Sequence, residues 1–451
     1  MQTIKHAAVL GAGTMGSQIA GLLADRGIPC DLLDLRDDAG APSALAEGAR
    51  ERLLTLKPSP LSDPAALELI KPGNFDDDLH RLAEADWIIE AVSENLAVKR
   101  AIWSKVAAHA RPDAIVSTNT SGIPVATIAE ALPPHLRPRF LGAHFCNPPR
   151  YVPLLEVIST PETDPEVAST ISEIASTLLE RGVVTAYDVP NFIANRIGAY
   201  SLMLTLKAMD ESGLGPDEVD SITGYPMGRP SSATFRTLDV VGIDVFLAVV
   251  ENSLAAASDE DEKAVLEPTT YVRELVKRGW VGQKAGRGFY RRVKVAGKSN
   301  ILALDVDSFE YRERRHLSAP SLEIAAATED VAARLRGLVM ADDAAGHFAW
   351  RILSRTLAYS ASMVGVVAED VVSIDRAMRW GYAWESGPFA TWDALGVAES
   401  VSRMEADGIS VPDWIADIAA QNGSFYRHGP AGTTQATPQG SYAPVSQSSL
   451  P

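Results

Sequence analysis

Residues 4–24 read IKHAAVLGAGTMGSQIAGLLA, and this stretch decides the fold. A strand-like apolar run leads into the glycines Gly11, Gly13 and Gly16, and a helical pattern then continues to Ala24. In such a unit the first glycine permits a tight turn, the second lets the backbone approach a pyrophosphate, and the third allows close helix packing. Backbone N–H groups at the start of the helix face the phosphates. The spacing therefore predicts a dinucleotide-binding βαβ unit.

Asp34 ends the next strand-like run, at the distance expected of the ribose-binding acidic residue in such units. A carboxylate there binds both ribose hydroxyls of NAD and repels the 2′-phosphate of NADP. Arg36 is the nearby residue that would suit that phosphate instead. The sequence favours NAD as the cofactor, and a glycine turn without a nucleotide is the alternative.

Strand-like and helical runs alternate over the first part of the chain, which predicts an α/β fold with a Rossmann-like doubly wound sheet. The predicted strands are Ile4 to Leu10, Cys30 to Leu35, Trp87 to Ala91, Ile115 to Thr118, Phe140 to Ala143, Leu154 to Ile158 and Val183 to Ala186. The segment from Asp37 to Phe75 is long for a crossover, and we expect a helical excursion from the sheet there. From Pro190 the pattern is helical, with Pro190 expected in the first turn of a helix through Asn195 and Tyr200.

The helical part contains an internal repeat. The run VDSITGYPMGRPSSATFRTLDVVG from Val219 resembles IDRAMRWGYAWESGPFATWDALG from Ile374, and the ordered matches at nearly constant offset indicate a duplication. Corresponding positions are Asp220 and Asp375, Asp239 and Asp393, Gly242 and Gly396, and Asn195 and Trp350. Because Trp350 replaces a polar residue, we expect the second copy to be structural and to cover the first copy as a second subunit would.

These patterns divide the chain into five parts. The prediction is an α/β Rossmann-like domain followed by two related all-helical domains, with boundaries at 1–186, 187–295, a connector at 296–338, a second helical repeat at 339–427 and a tail at 428–451. The tail contains no Asp, Glu, Lys or Arg after Arg427 and is rich in Gly, Ser, Thr, Gln and Pro. Such a composition predicts disorder.

Composition excludes several classes of function. A formal net charge of −17 argues against nucleic acid or an anionic membrane surface as a main partner. No apolar run reaches the length of a bilayer span. The strand-like sequence begins so near the first residue that no room is left for a signal peptide, and we expect a cytoplasmic location. The two cysteines, Cys30 and Cys146, have no metal-ligand spacing, so no metal site is expected.

One histidine stands at a place where ligands bind. His144 follows the predicted strand Phe140 to Ala143 and precedes the turn Asn147-Pro148-Pro149, and strand ends of doubly wound sheets hold ligands. Glu156 lies within the otherwise apolar VPLLEVI run, where a carboxylate needs a partner because unpaired burial is costly. Oxidation of a secondary alcohol needs a base, and a histidine paired with a carboxylate supplies one. Taken alone, such a histidine is more often structural.

Five motifs together carry a family resemblance. The runs GAGTMG, WIIEAVSENLAVK, STNTSGIPVATIA, GAHFCNPPRYVPLLEVI and VPNFIANRIG occur in the order seen in 3-hydroxyacyl-CoA dehydrogenases. The match continues to GQKAGRGFY near residue 290, and the remaining chain resembles the second C-terminal domain of longer bacterial members. The resemblance implies NAD-dependent oxidation of an (S)-3-hydroxyacyl-CoA to a 3-ketoacyl-CoA in fatty acid β-oxidation.

The resemblance also implies roles for single residues. His144 is similar to the family's catalytic base and Glu156 to its carboxylate partner, while Ser121 and Asn195 resemble the residues that contact the substrate oxygens. Residues implied at the cofactor are Gly11, Gly13, Met15, Gly16, Asp34, Glu94, Lys99 and Asn119. The plainer alternatives are that Ser121 caps the helix near Val125, that Asn195 satisfies neighbouring backbone, and that Glu94 and Lys99 form a surface helix pair.

Other activities and partners stay open at this point. One alternative is an NAD-dependent dehydrogenase of a free 3-hydroxy acid or sugar acid, and another is a non-catalytic protein that binds NAD or acyl-CoA. No enoyl-CoA hydratase domain is recognisable, so that domain is either a separate protein or part of a longer chain than this one. A hydratase or thiolase is an expected partner. Arg50, Arg52 and Lys57 fit phosphate contacts or a solvated helix face equally well. The expected oligomeric state is a monomer or a homodimer.

Overall fold

The computed structural model describes residues 3–295, 298–430 and 432–445. These residues form two compact units, the first ending at Phe192 and the second running from Ile193 to Val445. The predicted boundary at residue 186 lies at the end of the last strand, slightly before this division. In the described part of the chain, no helix is both long and apolar enough to cross a bilayer.

The first unit is built on one eight-stranded sheet. Its strand order is β3-β2-β1-β4-β5-β6-β7-β8, with β1 to β6 mutually parallel, β7 antiparallel to β6, and β8 parallel to β7. The strands are β1 (Ala7–Leu10), β2 (Cys30–Asp34), β3 (Ile70–Asn74), β4 (Trp87–Glu90), β5 (Ile115–Thr118), β6 (Phe140–Phe145), β7 (Leu154–Ser159) and β8 (Gly182–Ala186). The helices are α1 (Thr14–Asp25), α2 (Ala44–Arg52), α3 (Leu96–Val106), α4 (Val125–Ala129) and α5 (Pro165–Thr177), with short 3-10 helices at Pro64–Leu69, Leu79–Glu84 and Arg137–Arg139.

Seven of these strands overlap predicted ones, with ends that differ by at most three residues, because they carry buried apolar residues. Strands β1, β4 and β5 are buried throughout, as expected of parallel strands covered on both faces. The eighth strand, β3, lies inside the predicted helical excursion, and that prediction is wrong for Ile70–Asn74. This strand reads IKPGN, in which Ile70 alone favours a strand, but an edge position tolerates Pro and Gly because only one side is paired.

The strand order reverses at β1, which pairs with β2 on one side and β4 on the other. The carboxyl ends of β1, β4, β5 and β6 share one edge of the sheet because these strands are parallel. Ligands of doubly wound sheets bind at this edge, beside the reversal. The doubly wound architecture confirms the predicted fold class.

The second unit consists of helices and two small antiparallel sheets. The helices are α6 (Ala194–Ser212), α7 (Pro216–Thr223), α8 (Phe235–Val241), α9 (Ile243–Ala256), α10 (Glu260–Leu266), α11 (Thr270–Lys277), α12 (Pro320–Ala326), α13 (Val331–Val339), α14 (Ala344–Ser362), α15 (Val371–Tyr382), α16 (Pro388–Leu395), α17 (Val397–Ala406) and α18 (Asp413–Ala420), with 3-10 helices at Tyr225–Met227 and Gln283–Ala285. The strands are β9 (Tyr290–Val295), β10 (Lys298–Leu304), β11 (Tyr311–Arg312), β12 (Tyr426–Gly429), β13 (Gly432–Ala436) and β14 (Tyr442–Pro444).

Helix α6 begins later than the sequence predicted. Pro190 lies in a turn before the helix, not in its first turn. Asn191 and Phe192 adopt φ angles of 66° and 46°, so the chain is not helical there and the helix starts at Ala194.

Two aspartates, the partly buried Asp220 and the buried Asp239, organise the first copy of the repeat. Asp220 accepts hydrogen bonds from the backbone N–H of Phe235 at 2.8 Å and from the Tyr290 hydroxyl at 2.7 Å. Asp239 accepts from the backbone N–H groups of Phe289 and Tyr290, both at 2.8 Å. These bonds fasten helices α7 and α8 to the start of β9.

The second copy repeats this arrangement. Asp375 accepts from the backbone N–H of Phe389 at 2.8 Å and from the Tyr426 hydroxyl at 2.9 Å, while Asp393 accepts from the N–H groups of Phe425 and Tyr426. In each copy, an aromatic pair therefore lies at the start of a three-stranded sheet. This sheet is β9 to β11 in the first copy and β12 to β14 in the second. The matched aspartates of the sequence repeat have matched structural roles.

The prediction of a disordered tail from residue 428 is wrong for residues 428–430 and 432–445. This segment forms the sheet of the second copy, and Gln435 fastens it to helix α15 by accepting from the Val372 N–H and donating to Asp370, both at 3.1 Å. Residues 446–451 lie outside the described part of the chain. The predicted connector at 296–338 contributes β10 and β11 to the first sheet, and also α12 and most of α13.

Candidate active site

The glycine turn lies between β1 and α1. Gly11 has φ +102°, and a Cβ there would lie 2.7 Å from the carbonyl oxygen of Ala91. A Cβ on Gly16 would overlap the carbonyl oxygen of Gly11. A Cβ on Gly13 would meet no protein atom within 4 Å, so the backbone at the start of α1 faces open space. This is the arrangement in which a pyrophosphate contacts helix N–H groups directly.

Met15 lies within the same turn, but its side chain is partly buried against the hydrophobic core of the first unit. The structure thus gives Met15 a packing contact beneath the turn. A contact from its backbone to a cofactor stays a prediction.

Asp34 lies beside the glycine turn at the end of β2. Its carboxylate accepts hydrogen bonds from the Ala12 N–H at 2.5 Å and from the Leu35 N–H at 2.6 Å. Arg36 is ion-paired with Asp77, and its Nε lies 3.7 Å from Asp38. Because two carboxylates engage this guanidinium, it offers little unopposed charge to a 2′-phosphate. The local charges fit NAD better than NADP.

Lys99 is buried, with 1% of its side chain exposed, so the surface-pair alternative for Glu94 and Lys99 is wrong. Its ammonium lies 2.8 Å from Glu90 and 3.2 Å from Glu94. The other Glu90 oxygen accepts from the Thr118 hydroxyl at 2.6 Å. Sequence reasoning missed Glu90, although a carboxylate ending the apolar run WIIE carries the same signal that singled out Glu156.

Glu94 shapes the loop that follows β5. One of its oxygens accepts from the Thr120 hydroxyl at 2.6 Å and from the backbone N–H groups of Ser121 and Gly122 at 3.0 and 2.8 Å. Burial acts to raise the pKa of Glu94, but the Lys99 charge and these hydrogen bonds outweigh it and lower the pKa. The charged carboxylate therefore holds the loop in place.

Ser121 does not cap helix α4. The N–H groups of Val125 and Ala126 donate instead to Asp188, at 2.6 and 2.8 Å. Within the described residues the Ser121 hydroxyl has no hydrogen-bond partner, so it is available to a ligand.

His144 and Glu156 form a buried pair. They are directly opposed residues of the antiparallel strands β6 and β7, and the His144 Nδ1 lies 2.6 Å from a Glu156 oxygen. Only 5% of His144 is exposed, and the Phe192 ring lies 5.5 Å from its ring. The structure brings together the two residues that the sequence singled out.

Side-chain bonds align the loops around this pair. The Asn119 amide oxygen accepts from the Phe145 N–H at 2.8 Å, which ties the loop after β5 to the end of β6. The Gln18 amide donates to Asn147 at 3.3 Å and so ties α1 to the loop after β6. The glycine turn, the Ser121 loop and the end of β6 therefore share the carboxyl edge of the sheet.

Asn195 belongs to the second unit, where it lies in the first turn of α6 and is partly buried. Among the described residues of that unit, its side-chain amide has no hydrogen-bond partner. Its counterpart Trp350 is buried, donates to Asp407 at 2.6 Å and lies 4.1 Å beneath the Arg403 guanidinium. The Trp350 side chain is thus engaged within its own copy, whereas the Asn195 amide has no such hydrogen bond within the described residues of its unit.

Family models match most of the chain. Residues 6–189 match the NAD binding domain of 3-hydroxyacyl-CoA dehydrogenase, and residues 192–292 match its C-terminal domain. The chain is 44% identical over 439 residues to a probable 3-hydroxyacyl-CoA dehydrogenase of Bacillus subtilis, a match that covers 94% of this chain and 55% of that protein. The chain thus spans about half the length of that relative.

A second relative is matched over most of its length. It is a probable 3-hydroxyacyl-CoA dehydrogenase of Deinococcus radiodurans, 44% identical over 292 residues, or 64% of this chain and 84% of that protein. Among solved structures, the 3-hydroxybutyryl-CoA dehydrogenase of Escherichia coli superposes with a TM-score of 0.70 at 24% identity, covering 93% of this chain and 99% of that one. The structural likeness extends over both compact units and shows that the fold is shared.

Proposed function

The chain belongs to the 3-hydroxyacyl-CoA dehydrogenase family, and on that premise we propose that it oxidises the C3 hydroxyl of an (S)-3-hydroxyacyl-CoA to a ketone. The observation that carries this proposal is the buried His144–Glu156 pair, 2.6 Å apart. The pair lies at the sheet edge where an NAD-binding domain presents its cofactor to a substrate.

The residues around the glycine turn fit NAD. Gly13 and the start of α1 offer backbone N–H groups to the pyrophosphate, and Asp34 offers a carboxylate to the ribose hydroxyls. The cofactor, when bound, supplies a hydride acceptor. Glu94 and Lys99 act on this site through the loop that they hold, since Glu94 accepts from the Ser121 N–H and Lys99 is buried between Glu94 and Glu90.

His144 is proposed to take the proton from the C3 hydroxyl. Its Nδ1 faces Glu156, and a carboxylate acceptor keeps the proton on that nitrogen, which leaves Nε2 as the base. As the proton arrives the imidazole becomes a cation, and the negative charge of Glu156 stabilises it. General base catalysis of this kind contributes about 10²–10⁴-fold to a rate.

Two polar side chains are proposed to orient the substrate oxygens. The Ser121 hydroxyl is unengaged within the described residues, and the loop that carries it is fixed by three hydrogen bonds to Glu94. Asn195 is the second candidate, by its resemblance to the family's asparagine. Fixed donors reduce the entropy that the reaction must otherwise lose on orienting the alcohol.

We place the reaction in fatty acid β-oxidation. The substrate would be formed by hydration of an enoyl-CoA, and the 3-ketoacyl-CoA product is suited to thiolytic cleavage. An enoyl-CoA hydratase and a thiolase are therefore the proposed partners.

The test is a substrate panel with the purified chain. NADH formation is followed with (S)-3-hydroxyacyl-CoAs of short, medium and long chain, and with the corresponding free acids. Turnover that requires the CoA moiety supports the proposal, and the chain-length profile defines the substrate class. Turnover of free acids alone would assign the protein to the dehydrogenases of free hydroxy acids, and NAD binding without any turnover would favour a binding protein.

A further inference from the structure

Helix α6 of the first copy packs against the second copy along the turns that follow Asn195. A Cβ on Gly198 would overlap the ring of Tyr382, so this position is kept small for a side chain of α15. Two residues further on, the Tyr200 ring stacks on the Tyr359 ring with centroids 3.7 Å apart and an interplanar angle of 8°. The second copy therefore covers the part of α6 that carries Asn195.

A buried polar network lies at the centre of this contact. The Arg196 guanidinium is 2.6 Å from a Glu262 oxygen, and its Nε donates to the Tyr359 hydroxyl at 2.9 Å. The same hydroxyl donates to Glu262 at 2.5 Å. The three side chains come from α6, α10 and α14, and each is more than nine-tenths buried.

The network fixes the position of the first turn of α6. A guanidinium in the first turn of a helix lies at the positive end of the helix dipole, and burial adds a desolvation cost. Among the described residues, Arg196 is thus held by two partners, Glu262 and Tyr359. Because Arg196 directly follows Asn195 in the chain, fixing the guanidinium fixes the backbone turn that presents Asn195.

Comparison of the two copies shows that, in the described part of the chain, only α6 of the first copy is held by a tyrosine hydroxyl from the other copy. In α6 the position equivalent to Tyr359 is Leu204, which has no hydroxyl to donate. In α14 the position equivalent to Arg196 is Arg351, which is 40% exposed and pairs with Glu211 near the end of α6. The second copy therefore supplies a buried tyrosine hydroxyl to the first turn of α6. The first copy supplies no equivalent hydroxyl to α14, because Leu204 stands at the matching position.

We propose that Tyr359 of the second copy is a positioning residue for the dehydrogenase reaction, with its hydroxyl holding Arg196 and Glu262 and thereby the turn that carries Asn195. This inference rests on the proposed function and gives the second copy a part in it. The second copy then acts as more than a cover, because one of its side chains sets the geometry of a substrate contact.

The experiment compares Tyr359→Phe with Tyr442→Phe in the full-length chain. The first variant keeps the stacked ring and loses the hydroxyl, whereas the Tyr442 hydroxyl donates to the Ser424 carbonyl within the second copy. We expect Tyr359→Phe to lower kcat for a 3-hydroxyacyl-CoA about tenfold, because a small displacement of a group that orients the substrate slows the reaction. The KM for NAD should stay unchanged. Tyr442→Phe should retain the wild-type kcat.

A double-mutant cycle identifies the route of the effect. If Tyr359 acts through Asn195, then Tyr359→Phe produces no further loss in an Asn195→Ala background. An equal fold-loss in both backgrounds would overturn the proposal, because the hydroxyl would then act independently of Asn195.

Hydrogen exchange separates this proposal from the proposed function. Mass spectrometry of the peptide spanning 194–204 should show faster exchange in Tyr359→Phe and wild-type exchange in Tyr442→Phe. If the wild-type chain oxidises no 3-hydroxyacyl-CoA, the proposed function fails, and the exchange measurement alone then decides whether Tyr359 holds this turn. Unchanged exchange in Tyr359→Phe would overturn the positioning role.

Discussion

His144 and Glu156 are directly opposed residues on the antiparallel strands β6 and β7, with 2.6 Å between Nδ1 and a carboxylate oxygen. The pairing depends on the register of β6 against β7, since a shift of one residue would turn Glu156 to the other face of the sheet. The geometry of the dyad is therefore a property of the sheet and not of a mobile loop.

Removing the charge of Glu156 tests the dyad. In Glu156→Gln the imidazolium formed during oxidation loses its counter-charge, and we expect kcat to fall by about 10²–10⁴-fold. Steady-state kinetics with a 3-hydroxyacyl-CoA measures the loss, and Glu162→Gln, at a surface position paired with Arg137, serves as the control. A Glu156→Gln enzyme with the wild-type kcat would rule out this role for the carboxylate.

Cofactor preference should depend on Asp34 and on the pairing of Arg36. Asp34→Asn removes the charge that repels a 2′-phosphate, and Asp77→Asn in addition releases Arg36 from its ion pair. We expect the ratio of kcat/KM for NAD over NADP to fall about tenfold at the first step and further at the second, since such charge interactions are worth on the order of 1–4 kcal/mol. A ratio that stays at the wild-type value in the double variant would contradict this assignment.

The buried Lys99–Glu90 pair should be important for folding of the first unit. Lys99→Met leaves Glu90 without its counter-ion, and we expect a loss of about 3–5 kcal/mol in the free energy of unfolding. In Lys99→Met/Glu90→Gln no fully buried charge is left alone, and the partly exposed Glu94 keeps its three hydrogen bonds, so most of that loss should be recovered. Urea unfolding of the two variants measures both values. A single variant as stable as the wild type would show that the pair has no such role.

The buried aspartates of the repeat should make stability depend on pH. Burial raises the pKa of Asp375 from 3.8 to about 7, although hydrogen bonds from Phe389, Ala390 and Tyr426 act to lower it. The folded chain thus binds this proton more tightly than the unfolded chain. The stability contribution is therefore greatest at a pH below about 4 and falls as the pH rises towards about 7.

Asp375→Asn does not titrate and loses one acceptor oxygen. We expect it to be less stable than the wild type by about 1–3 kcal/mol at a pH near 5, with the difference narrowing as the pH approaches about 7. Urea unfolding across that range measures the difference, with the exposed Asp342→Asn as control. A difference that widens with rising pH would contradict the raised pKa.

Much of the first unit follows from its sequence because buried parallel strands must be apolar and glycine turns have strict spacing. Glu156 was recognisable since a carboxylate within an apolar strand requires a partner. Strand β3 was not recognisable from its residues IKPGN, which show no strand pattern. The strand forms through backbone pairing with β2, which leaves no signal in the side chains.

The sheet formed by β12, β13 and β14 shows a different limit of sequence reasoning. The composition of residues 428–451 indicated disorder, but Asp393 fixes the backbone of Phe425 and Tyr426 from 32 and 33 residues away in the chain. The pattern GFY at 288–290 and its partner SFY at 424–426 carried the signal, since both follow the paired aspartates. The role of Asn195 was likewise predictable only by resemblance, because no local pattern marks it.

The most direct test of the account is NADH formation from an (S)-3-hydroxyacyl-CoA by the wild type, by His144→Ala, and by His109→Ala as an exposed histidine control. We predict turnover that requires the CoA moiety, is retained in His109→Ala, and falls by at least about 10²-fold in His144→Ala. Turnover that survives in His144→Ala at the wild-type rate would contradict the assignment of His144 as the base. An absence of turnover in the wild-type chain, with NAD bound, would contradict the proposed reaction itself.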